Sequence, residues 1–257
     1  MPPLRRTKLS DLIVQDVKRL IVAERLKPGD RVPSEPELIA SYGCAKGTVR
    51  EALKALEVEG LVVTRTGPGG GAYLAAADPE PAARMLRNFL HFRHIDGEGV
   101  YQIRKVVEPE LAASVAGRLT PEQFAALEAN VAECSRRPES EDQQQRQRIL
   151  ELEFHNILAD ACPNPLLAFI GRFLNDMLRD LVVLKKAYVP ERHQFGESNV
   201  GYHRLLLAAY REGDAARVRA IMLAHMHDAE RHMTALEGEV AHAFLLEFPG
   251  REALRGA

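Results

Sequence analysis

Apolar residues recur along this chain with two different periods, and the places where the period changes mark its organisation. Over about 9–26, Leu12, Ile13, Val17, Leu20 and Ile21 return at three- and four-residue steps, the signature of a helix that buries one face. Ser10 stands at its start and is expected to cap it. K-P-G-D at 27–30 predicts a turn: Pro28 presets one backbone angle and Gly29 relieves the next. Ser34, with Glu37 three residues on, reads as a capping box that opens a second helix carrying Leu38 and Ile39. Gly43 breaks that helix. Val49, Leu53, Leu56 and Val58 then predict a third, which Gly60 stops. From residue 61 the helical period is lost. Residues 61–65 and 71–74 read as short strands, joined by the glycines and proline of T-G-P-G-G-G. Two helices across a tight turn, followed by a hairpin, describe a winged helix-turn-helix, whose second helix is shaped for a DNA major groove.

A second change follows at A-A-A-D-P-E-P, a linker composition, after which there is little strand signal. Helical spacing predicts segments at about 81–94, 98–118, 121–135, 143–161, 164–187, 197–212 and 214–236, with a weaker one at about 238–247. Pro121 after Thr120, Pro165 after Asn164 and Asp214 after Gly213 mark helix starts. Polar residues 136–142 read as a loop, and 1–8 as a frayed basic arm. The expected chain is mainly α. It has a winged helix-turn-helix with a small β-hairpin over 1–75, a linker over 76–82, and an all-α bundle of six or seven helices over 83–247.

Charge adjusts this picture slightly. The 257 residues carry a net charge of −2, but residues 1–75 alone carry +3 and the remainder −5. A mildly basic head on an acidic body suits DNA binding by one end only. The three cysteines (Cys44, Cys134 and Cys162) form no C-x-x-C pair and suggest a reducing compartment without a zinc knuckle. Cys44 falls in the helix turn as a small apolar filler. The opening M-P-P-L-R-R-T-K-L-S lacks the apolar run of a secretory signal, and no stretch is long enough to span a membrane. A cytoplasmic protein is expected.

Two runs in the head are specific. L-K-P-G-D-R-V-P-S-E-P-E-L from Leu26 and G-T-V-R-E-A-L-K-A-L-E-V-E-G-L from Gly47 resemble the DNA-binding domain of the GntR family of bacterial transcription regulators. The resemblance implies DNA contact by Ser34, Glu35, Lys46, Thr48 and Arg50, and by wing glycines Gly69 and Gly70. Lys46 and Arg50 lie one turn apart at the entry of the recognition helix, where side chains reach phosphates and base edges. Without the surrounding signature they would read as a solvated helix face. The chain departs from the family at Pro36, where arginine is common, and at Ala45–Lys46, where Ser or Thr followed by Arg is common. Lysine cannot make the bidentate fork that arginine makes to guanine.

The bundle resembles the FCD ligand-binding domain of the FadR branch of that family. Arg104 and Glu108 followed by P-E-L-A-A-S-V-A, F-H-N-I-L-A-D-A-C-P-N-P-L-L from Phe154, and H-R-L-L-L-A-A-Y-R-E-G-D-A-A-R-V-R-A-I-M-L-A-H from His203 carry this likeness. Of the nine histidines, His91, His94, His193 and His242 read as ordinary surface or core residues. His155 lies four residues after Glu151, so both project from one helix face. His203 and His225 fall on two later helices that a bundle can bring to the same point. One carboxylate and three imidazoles suit a divalent Zn, Ni or Mn ion, or Fe(II). The resemblance implies such a site through an aspartate and three histidines, with Glu151 here in place of the aspartate. Glu153 and His227 should point elsewhere, and His232 lies two turns from His225. Arg104 has two readings, an effector-binding cation that forks onto a carboxylate or a salt-bridge partner of Glu108.

The expected function is a ligand-responsive regulator, a homodimeric repressor that binds a double-stranded operator and responds to a small carboxylate held at the metal. A purely structural or directly sensed metal is the alternative within that reading. A metal-dependent enzyme is the alternative outside it, but no separate base or nucleophile accompanies the cluster, and an enzyme would leave residues 34–74 unexplained.

Overall fold

The computed structural model describes residues 8–93, 95–184 and 193–234. The basic arm before residue 8, His94, the end of the segment expected to reach 187, and the weak helix at 238–247 lie outside the described residues. Contacts divide the chain into two compact units between Leu86 and Arg87.

The first unit begins with α1 (Leu9–Ala23), α2 (Glu35–Tyr42) and α3 (Lys46–Val58). Strands β1 (Val62–Arg65) and β2 (Gly71–Leu74) follow as an antiparallel pair that sets Val62 opposite Leu74 and Arg65 opposite Gly71. The expected wing is therefore present. The Lys27–Asp30 turn pairs with it as well: Gly29 N–H donates to Leu74 O, and Val32 N–H to Ala72 O. Ile13, Val17, Val32, Leu38, Val49, Leu53, Leu56, Val62 and Ala72 form the core, with Cys44 packed at its edge as the apolar filler its position suggested. Tyr42 Oη donates to Asp16 Oδ2 at 2.8 Å and ties α2 to α1.

The capping box at Ser34 forms in full, and Gly43 ends α2 in the left-handed conformation at φ 57°. The expectation for Ser10 is corrected. The cap lies two residues earlier: helix α1 starts at Leu9, with Lys8 in the capping position and no side-chain cap. Asp11 and Leu12 N–H groups donate to Lys8 O, and Ser10 is buried inside the first turn, where a small residue packs without a cavity. Leu12 and Val58 also leave their expected stripes, at 46% and 55% exposed.

Helix α4 (Glu80–His91) begins within the stretch expected to be linker, and the division between the units falls inside it. The second unit continues with α5 (Gly97–Ser114), α6 (Pro121–Cys134), α7 (Glu141–Ala161), α8 (Pro165–Leu184), α9 (His193–Glu212) and α10 (Ala215–Thr234). The starts at Thr120, Asn164 and Asp214 are capped by side chains: Thr120 accepts from Gln123 N, Asn164 from Leu166 N, and Asp214 from Arg217 N. Helix α9 starts four residues before its expected position and so takes in Gly196. Leu111, Leu127, Phe154, Leu158, Leu206, Tyr210, Val218, Met222 and Met226 fill the bundle core. Helix α5 carries Pro109 in its interior. Tyr210 Oη donates to Ala112 O at 3.0 Å on the same helix, a polar tie within an apolar core.

Candidate functional site

Three helices deliver one imidazole each to the middle of the second unit. His155 comes from α7, His203 from α9 and His225 from α10, and one ring nitrogen of each lies within 4.8 Å of those of the other two. All three are buried. Phe154 stacks on His203 with centroids 4.0 Å apart, and Tyr202 stacks on His225 at 5.1 Å, so aromatic faces fix both rings. Among the described residues, both nitrogens of His203 and Nδ1 of His225 have no hydrogen-bond partner. A buried polar atom without a partner costs about 1–3 kcal/mol. Burial first, then the neighbouring imidazoles and Arg104, hold His203 well below the usual histidine range, and burial with His155 and Arg104 does the same for His225. Neutral imidazoles with free lone pairs, converging on a point, are the donor set a divalent ion takes. The residues present therefore fit the metal that the fold implies.

His155 differs, because its Nδ1 lies 3.0 Å from Glu108 Oε2. A carboxylate there makes Nδ1 the donor and turns the Nε2 lone pair toward the other two rings. Glu108 is held in turn by Arg104, whose Nε and Nη2 donate to Oε1 at 3.2 and 2.9 Å. Arg104 Nη2 also donates to Asn175 Oδ1 at 3.1 Å. Burial alone would raise the Glu108 carboxyl, but His155 and Arg104 outweigh it and bring it to about 2. Arg104 thus points inward, as an effector-binding cation would, and also makes the salt bridge with Glu108.

Glu151 lines the same small cavity as the histidines. Its carboxylate lies 2.7 Å from Arg148 Nη1, and Asn199 Nδ2 donates to its Oε2 at 2.7 Å. Burial pushes the Glu151 carboxyl up to about 7 against the pull of Arg148 and Asn199. The cluster that converges within ligand reach is the three histidines; Glu151 stands one turn before His155 with other partners. Glu153 is exposed and His227 faces out, as their spacing required. His232 approaches Asp228 rather than the cluster. The roles of Glu108 toward His155, and of Arg148 and Asn199, were not drawn from the sequence. For the last two the signal existed: Arg148, Glu151 and His155 share one face of α7, and Asn199 and His203 one face of α9.

In the first unit, Lys46 and Arg50 project from the start of α3 and share one acidic partner. Glu35 Oε1 lies 3.2 Å from Lys46 Nζ and Oε2 lies 3.1 Å from Arg50 Nε. Thr48 is half-buried beside them. At the wing tip Gly67 and Gly69 have φ of 88° and 77°, and a Cβ on Gly70 would meet Arg65 O at 2.7 Å. Glycine is required there by conformation and by space.

The description for bacterial regulatory proteins of the gntR family matches residues 9–71, and that for the FCD domain matches residues 99–228. The chain belongs to the gntR family and carries an FCD domain. This gntR-family chain is 29% identical over 239 residues to the HTH-type transcriptional repressor NanR of Salmonella newport (strain SL254), covering 91% of the chain and 88% of that relative. NanR of Salmonella typhi is also 29% identical, over 243 residues, with the same shares covered. Among solved structures, a Streptococcus agalactiae GntR protein shares the fold with a TM-score of 0.55 at 22% identity, over 87% of this chain and 99% of that one. The gntR-family chain is a DNA-binding transcription regulator and not an enzyme. No described helix is long and apolar enough to cross a membrane.

Proposed function

We propose that this gntR-family regulator is a homodimeric repressor of the FadR branch whose hold on its operator is loosened by a small organic acid bound in the FCD domain. The observation that carries the reading is the trio of buried imidazoles with unpartnered nitrogens inside a domain joined to a winged helix-turn-helix. The name of the NanR relatives supports repression. His155, His203 and His225 would hold one divalent Zn, Ni or Mn ion, with Glu151 one turn away as the nearest carboxylate on the same helix. Such an ion supplies a Lewis-acidic anchor for a ligand oxygen. The chain's own residues do the rest. Glu108 orients His155, Phe154 and Tyr202 fix the other rings, and the burial of the site leaves little room for water. Arg50, Lys46, Thr48, Ser34 and Glu35 would face the major groove, and Gly69 and Gly70 the backbone at the wing. Two protomers would meet two half-sites, so an acid that favours a different arrangement of the winged domains lowers affinity by its differential binding to the two states.

The test combines elemental analysis with operator mobility shifts. One divalent ion per protomer is expected, with operator release by an organic acid that chelation abolishes. Protein that carries no stoichiometric ion yet releases its operator normally would remove the metal from the function. Chelated protein that melts earlier and binds operator poorly with or without acid would instead assign the ion to a scaffold role.

A further inference from the structure

The solvent face of the wing gathers two guanidiniums at one glycine. Val62 and Ala72 turn inward to the core of the first unit, and Val63, Arg65, Gly71 and Tyr73 belong to the opposite face of the hairpin. Arg65 pairs with Gly71 across the ladder, so its side chain rises from the face on which Gly71 has none. Arg31 bridges to Tyr73 on the other edge of β2, and its guanidinium lies over the same glycine. A Cβ on Gly71 would meet Arg31 Nε at 3.3 Å and Nη2 at 3.4 Å. Gly71 also has a φ of 142°, a conformation that side chains rarely adopt.

Nothing in the unit neutralises this pair. Both arginines are exposed, and among the described residues neither forms an ion pair with a carboxylate. Ser34 hydrogen bonds hold the Glu37 carboxyl below its usual range and Arg31 adds to that, but Glu37 is committed to the capping box. Its Oε2 accepts from Ser34 N at 2.7 Å and from Ser34 Oγ at 2.6 Å. Arg65 rests on the Tyr73 ring, 4.7 Å from the centroid, and Tyr73 Oη donates to Gly69 O at the wing tip. Like charges on facing positions of a ladder repel. An anion between them reverses the sign, and the planar fork of a guanidinium fits the oxygens of a phosphate.

We propose that Arg31 and Arg65 close on one phosphate of the DNA backbone, over the open floor at Gly71 and with Tyr73 as the rest for Arg65. The contact holds the duplex whatever its sequence. It rests on the reading that this unit faces DNA through α3 and the wing, and adds to that reading a cation pair outside the recognition helix.

The test is a mobility-shift titration of the full-length protein over a range of salt. The probes are an operator selected from a random duplex pool and a mixed-sequence duplex. Arg31→Gln combined with Arg65→Gln should weaken binding to both DNAs by the same factor, about tenfold at about 0.1 M salt. The slope of log affinity against log salt should flatten by about one and not by about two, because the pair shares a phosphate. A scan of uncharged methylphosphonate linkages through the operator should find one position in each half-site that weakens the wild type and leaves the double variant indifferent. Gly71→Ala, which puts a methyl where the Arg31 guanidinium lies, should lower affinity for both DNAs. Both glutamines replace exposed side chains, so the melting temperature of the double variant should hold. Loss of DNA binding that comes only with an early melt makes the arginines structural and overturns the proposal. Unchanged affinity overturns it too, as does a loss confined to the operator, which would be base reading. Arg50→Ala separates this proposal from the reading beneath it. If Arg50→Ala weakens operator binding and the double glutamine variant does not, the arginine pair alone is overturned. If neither weakens it, the DNA-facing surface lies elsewhere and both fall.

Discussion

His203 and His225 are shielded from water with imidazole nitrogens that nothing in the protein satisfies, and two predictions follow from that. If each supplies a ligand as proposed, His203→Ala and His225→Ala should lose the ion under mild chelation, while His227→Ala, which faces out, should keep it. Metal content after dialysis against a weak chelator checks this, and retention by His203→Ala would remove that ring from the site. Glu108→Gln should weaken binding by about 10–100-fold without removing a ligand. The second prediction concerns acid and the metal-free protein. In the unfolded chain both imidazoles take protons below about 6.5, and in the fold they refuse them until well below that. The unfolded state then binds more protons, so stability falls as pH drops through about 6.5. Glu151, raised to about 7, works the other way: the native state takes its proton first and gains stability as pH falls from 7 toward 4.5. Two imidazoles against one carboxyl nearly cancel at pH 7 and leave a net loss that grows toward about 1.4 kcal/mol per pH unit near pH 5.5. Thermal melts of chelated protein between pH 7 and 5 should show that decline, and Glu151→Gln should steepen it. A melting temperature that is flat or rises toward pH 5 would contradict the burial argument.

At the scale of elements, the sequence was most informative where local chemistry decides the outcome. The Ser34–Glu37 box, the Gly43 break and the Pro121 start are settled within a few residues, and each stands where its residues put it. Ser34→Ala should cost about 1 kcal/mol by denaturant unfolding, and no measurable change would mean that Pro36 and the α1–α2 packing hold the turn without it. Ser10 misled for a tertiary reason: its side chain is worth more as small buried volume than as a cap. The start of α9 lies four residues before the expected position, and Gly196 within it takes the Arg148 guanidinium where a Cβ would stand. The histidines could be matched to helix faces, but Glu108 meets His155 across 47 residues, and only the packing of α5 against α7 joins them. The recognition helix carries its own test. Arg50→Ala should weaken operator binding by about 1–3 kcal/mol if it reads a base, and an unchanged mobility-shift titration would free Arg50 of that role.

For the whole molecule, the charge asymmetry of the sequence favours nucleic-acid contact through the proposed winged unit, and Glu35 would moderate even that. Glu35 sits between Lys46 and Arg50 in the free protein, and DNA that used these cations as proposed would have to compete with it for both. Lys46→Ala should lower affinity for operator and random DNA alike and reduce the slope of log affinity against log salt by about one, measured between 50 and 200 mM salt. A slope that stays the same would mean that Lys46 remains on Glu35 in the complex.

The chain of contacts behind His155 also bears on how this domain can change over generations. Asn156, Asn175, Arg104 and Glu108 pass hydrogen bonds along to one imidazole from three helices. None of the four has a reason to be where it is without the next. Loss of Glu108 strands the Arg104 cation, and loss of His155 leaves Glu108 Oε2 buried without its partner while Arg104 still holds Oε1, so either intermediate costs something that the exchange of the whole set avoids. Descendants that abandon the ion should therefore abandon the set together, and those that keep it should keep every link. Aligned relatives that retain Arg104 and Glu108 while varying His155 freely would show that the relay is inherited for its own sake.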